Sequence, residues 1–173
     1  MRKVTYGAAA SLDGYIAGEG DRVDWLLWTD EVASITQAYW QTIDTVLVGR
    51  KTYEVGLRSG TASYPGKQTY VFSRSVEIEP VDGVKQVAGD VVKFVSDLKN
   101  GDGAGICVMG GGELARSLFE GDLIDEVGIN IHPVLLGSGI PMFIPISAQK
   151  NLELIECKKL KNSCIYLLYR VTR

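Results

Sequence analysis

The sequence predicts an α/β fold: a mixed, mostly parallel sheet covered by helices and ending in a C-terminal antiparallel hairpin. Three observations predict it. Over residues 3–119, short apolar runs of strand length alternate with segments whose apolar residues recur at helical spacing, the pattern of parallel strands joined by crossover helices. Thr45-Val46-Leu47-Val48 is apolar and mostly β-branched, as a strand buried on both faces should be. After Asp122 the helical spacing stops: 126–136 reads as one long strand, and 152–157 with 163–171 read as a hairpin turning around Lys161-Asn162.

Taken in order, residues 3–10 form a first strand that becomes small and apolar towards its end, followed by Ser11-Leu12-Asp13-Gly14-Tyr15-Ile16-Ala17-Gly18. An Asp-Gly pair after such a strand makes a plain turn or lets a flat ligand lie against the backbone, and both readings stay open. Residues 18–24 are polar and contain glycine, hence a loop. Trp25-Leu26-Leu27-Trp28 leads into a helix capped by Thr29 or Asp30, with Val32, Ile35, Ala38, Tyr39 and Ile43 on its buried face. The strand at 45–48 ends in Gly49-Arg50-Lys51-Thr52, where two cations at a helix start oppose the helix dipole and so are either solvated there or kept to hold an anion, the reading favoured here. A third strand, 68–72, ends in Ser73-Arg74-Ser75; a short strand at 84–87 and a helix at 91–98 capped by Asp90 follow.

The most informative stretch is 105–119, an apolar run, then Gly110-Gly111-Gly112, then Glu113 and a helix marked by Leu114, Leu118 and Phe119. Glycines there let the backbone approach a ligand where unpaired N–H groups and the helix dipole favour a phosphate; a tight turn with no ligand is the bland alternative.

Composition narrows the classes. The 173 residues are 46% hydrophobic with a net charge of −3, which suits one globular domain over 1–173 and lacks the basic excess of nucleic-acid binders. The apolar run in 1–11 is too short for a signal peptide, and no stretch approaches the roughly 20 apolar residues that span a bilayer. No membrane partner and a cytoplasmic location are the expectations. Cys107, Cys157 and Cys164 have no zinc-type spacing, so no metal is expected and the thiols should be buried.

Three strand ends, at 49–52, 73–75 and 110–114, thus carry phosphate-type chemistry, and in open α/β sheets such ends can converge on one extended ligand such as a dinucleotide. No G-x-G-x-x-G follows the first strand. Val-Gly-Arg-Lys-Thr at 48–52, Phe-Ser-Arg at 72–74 and Met-Gly-Gly-Gly at 109–112 instead resemble the dihydrofolate-reductase-like superfamily, whose cofactor is NADPH. Residues 11–17, Ile124-Asp125-Glu126-Val127 and His-Pro-Val-Leu-Leu-Gly-Ser-Gly at 132–139 are similar, more narrowly, to the bacterial RibD C-terminal family.

The resemblance implies a three-layer dihydrofolate-reductase-like fold. It implies that Gly49, Arg50, Lys51 and Thr52 hold the adenosine side of NADPH and that Ser73 and Arg74 take its 2′-phosphate. Gly110, Gly111, Gly112, Glu113 and Leu114 would cradle the pyrophosphate, with a cis peptide between Gly110 and Gly111, while Ala9 and Ile16 line the nicotinamide pocket.

Trp25 and Asp30 keep the spacing of the folate-reductase Trp and carboxylate. That makes them substrate-side candidates and Asp30 the candidate proton donor, against a plain helix-cap role. Asp13 is the second candidate, and His132 before Pro133 reads as a core or interface residue. The zinc-deaminase signatures that accompany RibD reductases, H-x-E and P-C-x-x-C, are absent from these residues, so a stand-alone reductase-like domain is the expectation.

The implied activity is NADPH-dependent reduction of a small planar, heterocyclic substrate, by family default the 5-amino-6-(5-phosphoribosylamino)uracil of riboflavin biosynthesis. The alternatives are a dihydrofolate reductase, against which Thr29 and Ala115 speak, and a non-catalytic NADPH-binding dimer. The apolar residues of 129–143 predict a homodimer.

Overall fold

Central strands of an α/β sheet must be apolar on both faces, and the ones that meet this condition lie in the middle of the computed structural model, which describes residues 1–172. In chain order the elements are β1 (Val4–Ser11), β2 (Tyr15–Ala17), α1 (Asp30–Trp40), β3 (Ile43–Gly49), α2 (Arg50–Ser59), β4 (Gln68–Phe72), β5 (Val84–Val87) and α3 (Val91–Asn100). They continue with β6 (Gly105–Gly110), α4 (Gly112–Glu120), β7 (Glu126–His132), β8 (Ile140–Pro141), β9 (Asn151–Lys159) and β10 (Ile165–Thr172). Eight strands form one sheet in the order β5-β4-β3-β6-β1-β7-β10-β9, and β2 pairs with β8 in a small second sheet. Strands β5 to β7 are mutually parallel, while β10 runs antiparallel to β7 and to β9.

Helices cover both faces, which makes three layers. On one face α3 and α4 pack Val91, Val95, Leu114 and Leu118 against Val4, Tyr6 and Ala10 of β1. On the other, Tyr39 and Trp40 of α1 and Tyr53 and Leu57 of α2 pack against Val46, Val48 and Cys107. Buried cations clamp the amino-terminal side of the sheet. Arg2 donates to Thr45 Oγ1 (2.6 Å) and the Ala104 carbonyl (2.7 Å) and pairs with Asp44; Lys99 donates to the Leu123 carbonyl (3.0 Å) and pairs with Asp125.

Several expectations need correction. Ile43 opens β3 instead of closing α1, because Thr42 turns the chain with its N–H and hydroxyl both on the Tyr39 carbonyl. The long strand ends at His132, since Pro133 has no N–H to extend a ladder, and Val134 leaves the sheet to accept from the Leu12 N–H. The β2–β8 pair is too short to show a period in the sequence. Cys107 and Cys164 are buried, but Cys157 lies exposed on the edge strand β9. Among the described residues no helix is long and apolar enough to cross a membrane.

Candidate functional site

Helices α2 and α4 both start on glycine, and neither has a side-chain cap. Their first N–H groups therefore have no local acceptor, and the positive ends of both dipoles lie together at the carboxyl ends of β3 and β6. The two turns touch. A Cβ on Gly111 would stand 3.2 Å from the Gly49 Cα, and one on Gly49 would stand 3.3 Å from the Gly111 Cα. Only glycine at both positions permits this approach, and it leaves a concave strip of bare backbone.

The expected cis peptide is not there: no peptide bond among the described residues is cis. The reversal is carried by Gly110 and Gly111, whose φ values of 144° and 91° are open to glycine and strained for other residues. Gly112 has a different reason, since a Cβ there would press on Ile144 at 3.2 Å.

Of the cations near this strip, Arg50 is held by Glu54 at 2.5 Å, one turn along α2. Among the described residues Lys51 and Arg74 make no ion pair, and both are exposed. Thr52 lies beneath the strip, where a Cβ on Gly110 would come 3.3 Å from its side chain. Ser73 is buried and donates its hydroxyl to the Val76 carbonyl at 2.5 Å, so it shapes the loop from which Arg74 projects. Glu113 is exposed and paired with Arg116 at 2.6 Å, and the Leu114 side chain is buried in the core beneath α4. These two can offer a ligand backbone, and Leu114 nothing else.

The remaining candidates lie beyond β1. Ala9 and Ile16 are half-buried, and the middle of β1 is the one part of this central strand that is not fully covered. Asp13 accepts from Ser11 Oγ (2.6 Å), the Gly137 N–H (2.8 Å) and the Leu136 N–H (3.1 Å). The Ser11 bond foremost, then the Gly137 N–H, holds its carboxyl below the ordinary value. Asp13 is thus an ionised staple for the 136–137 loop.

Trp25 donates its indole N–H to the Arg22 carbonyl (3.2 Å) and packs edge-on against His132 at 5.3 Å. Thr29 is the cap of α1, accepting from the Val32 N–H at 3.3 Å. Asp30 is therefore not the cap. It is the first residue of α1 and is exposed.

His132 carries more than its sequence context suggests. It is 2% exposed, and its Nδ1 accepts from the Leu27 N–H at 3.2 Å, which ties the Trp25–Trp28 segment to the end of β7. The two residues are 105 positions apart, so no local spacing could have linked them.

The sequence pattern of the RibD C-terminal domain matches residues 2–166. The chain belongs to the RibD C-terminal domain family. The uncharacterized protein YwjB of Bacillus subtilis (strain 168) is 37% identical over 155 residues, covering 88% of this chain and 89% of YwjB. A candidate riboflavin biosynthesis protein of Shewanella sp. PV-4 superposes with a TM-score of 0.84 at 26% identity, over 99% of both chains. Enterococcus faecalis dihydrofolate reductase, complexed with NADP(H), shares the fold at a TM-score of 0.65 and 18% identity, covering 99% of this RibD-type chain and 97% of its own. The RibD C-terminal fold here is thus of the dihydrofolate-reductase-like kind.

Proposed function

We propose that this chain is an NADPH-dependent reductase of a small planar heterocycle, with 5-amino-6-(5-phosphoribosylamino)uracil, on which a structurally similar deaminase/reductase from Thermotoga maritima acts, as the first to test. One observation carries the reading. Apart from Ile16 on β2, the candidate cofactor residues, scattered over 9–114 in the sequence, fall on or just after four neighbouring strands, β4-β3-β6-β1, in or beyond their carboxyl halves. A dinucleotide is long enough to cross four strands, roughly 15 Å at about 4.8 Å per step.

The bare-backbone strip between Gly49 and Gly111 suits the pyrophosphate, because a Cβ would fill it and the N–H groups at both helix starts lack partners. Arg74 and Lys51 would hold the 2′-phosphate, and the open middle of β1 at Ala9 would take the nicotinamide. When bound, NADPH supplies a hydride to an electron-poor C=N or C=O. The protein would orient the rings, exclude water with Ile16 and Trp25, and offer Asp30 as the candidate carboxylate for the proton.

The exposure of Asp30 and the engagement of Asp13 favour a second reading, a binding protein that has lost turnover. One titration and one assay separate the two. The reductase reading expects micromolar NADPH binding and loss of absorbance at 340 nm with the phosphoribosylaminouracil; binding without oxidation across a panel of ring carbonyls and imines supports the second, and no NADPH binding sinks both.

A further inference from the structure

A neutral imidazole has one donor and one acceptor, and here the chain itself decides which nitrogen is which. The Leu27 N–H points at His132 Nδ1, so Nδ1 accepts and the proton sits on Nε2. Burial lowers the pKa of this ring, which keeps it neutral. Nε2 lies 3.3 Å from the side-chain amide of Asn130. With Asn130 Nδ2 on that side, two N–H groups would oppose each other, and Oδ1 would be buried with no partner among the described residues. Turning the amide over, a rotation that hardly changes its shape, lets Oδ1 accept from Nε2–H. Nδ2 then occupies the buried, partnerless place, with a donor to spare.

The place is informative. Asn130 stands in register between Ala9 of β1 and Tyr166 of β10, and Gly7 faces Gly128 one step down the same face. That face carries the Trp25–Trp28 segment, because His132 is two residues along β7 and so shares the face of Asn130. The row β4-β3-β6-β1 leads the cofactor to Ala9, and β7 is the next strand outward. A ring stacked beyond the nicotinamide would lie over Gly7 and Gly128, which carry no side chain of their own, with Leu168 and Tyr166 flanking Gly128 at 3.8 and 3.9 Å from where its Cβ would stand and Asn130 at the edge.

We infer that Asn130 is the specificity-determining residue for the substrate, its Nδ2–H donating to a ring carbonyl, and that His132 is the positioning residue that fixes the direction of the Asn130 amide. This rests on the reductase reading for the location of the substrate, whereas the Leu27–His132–Asn130 relay stands without it. A ring carbonyl also matches the first substrate proposed, and a planar ring lacking one would leave the buried donor unpaired.

The single histidine of the chain makes the test clean, since its imidazole gives the only such signals in a 15N spectrum. At pH 7.5 the free protein should show a proton on Nε2 and a bare Nδ1; the opposite tautomer or an imidazolium overturns the relay. The second arm titrates NADP+ and then 5,6-diaminouracil into the NADP+-saturated protein. Asn130→Asp keeps the shape and replaces the donor by an acceptor, and it should weaken diaminouracil binding tenfold or more while NADP+ affinity stays within twofold. Asn130→Ala, which buries no charge, gives the same measurement if the Asp variant does not fold.

Unchanged diaminouracil binding in both variants overturns the proposal. So does an equal loss of NADP+, which would give Asn130 to the nicotinamide carboxamide, and so does a wild type that binds NADP+ without any diaminouracil. Failure of the wild type to bind NADP+ counts against the reductase reading instead, and the tautomer still decides the relay.

Discussion

Arg74 is the residue on which cofactor choice should turn, because it stands free at the end of β4 whereas Arg50 is already held by Glu54. A 2′-phosphate gives its planar fork two oxygens at once, and one charge-assisted interaction of this kind is worth on the order of 1.5–3 kcal/mol. Arg74→Ala should therefore weaken NADPH binding by about tenfold or more and leave NADH nearly unchanged, as calorimetry with both cofactors would read. Equal losses would place the phosphate elsewhere.

Asp30 makes a cleaner target than the sequence suggested, since Thr29 does the capping. Asp30→Asn should lower turnover by about a hundredfold with NADPH affinity kept; unchanged turnover removes it from the mechanism. His132 gives a prediction on pH. Its folded pKa lies below the ordinary 6.5, so on acidification the unfolded chain takes up the proton first. The stabilisation from a neutral His132 is full above about 6.5 and is lost as pH falls through the folded pKa. Urea midpoints of wild type relative to His132→Gln should decline from pH 7.5 to pH 5, and a constant difference would contradict the burial argument.

At the scale of elements, the two uncapped helix starts depend on one another. Gly111→Ala would put a Cβ 3.2 Å from the Gly49 Cα at a φ of 91°, so both the strain and the contact oppose it. The expected outcome is a loss of about 1–3 kcal/mol of stability together with weaker NADPH binding, measured by thermal unfolding and by titration. Thr29→Ala is the control at a capped helix. It should cost about 1 kcal/mol, since the Val32 N–H loses its acceptor, and leave NADPH binding alone.

At the scale of the whole molecule, pairing is the remaining question, and two apolar surfaces bear on it. Strand β7 runs between β1 and β10, so the strand part of 129–143 is enclosed by its neighbours, while Leu135, Ile140 and Phe143 beyond it are exposed. A second open apolar surface, and one on a sheet edge, is β9, whose nine residues are all exposed; they include Leu152 at 45%, Leu154 at 52% and Ile155 at 42%. This is also a sheet edge with unpaired backbone groups, the kind of edge that a second copy or another strand readily covers. We propose a homodimer through β9. Sedimentation at micromolar concentration should give a dimer that Leu154→Lys converts to monomer with NADPH affinity retained; a monomeric wild type rules it out.

The sequence by itself determined what local chemistry controls. The strand-helix alternation, the strands at 68–72 and 84–87, the Asp90 cap of α3 and the C-terminal hairpin are all legible there, because periodicity, capping and turn residues act over a few positions. It also marked Gly49, Arg74 and the 110–112 glycines as ligand-facing chemistry. Only the tertiary structure decided which of these meet and which are already engaged. Strand order brings Gly49 against Gly111, the loop after β4 occupies the Ser73 hydroxyl, and Asp13 holds a loop more than a hundred residues away in the chain. The link from Leu27 to His132 and on to Asn130 has no trace in the sequence. Pairing between strands depends on how crossovers wind, and that is a property of the whole chain which no single stretch of residues carries.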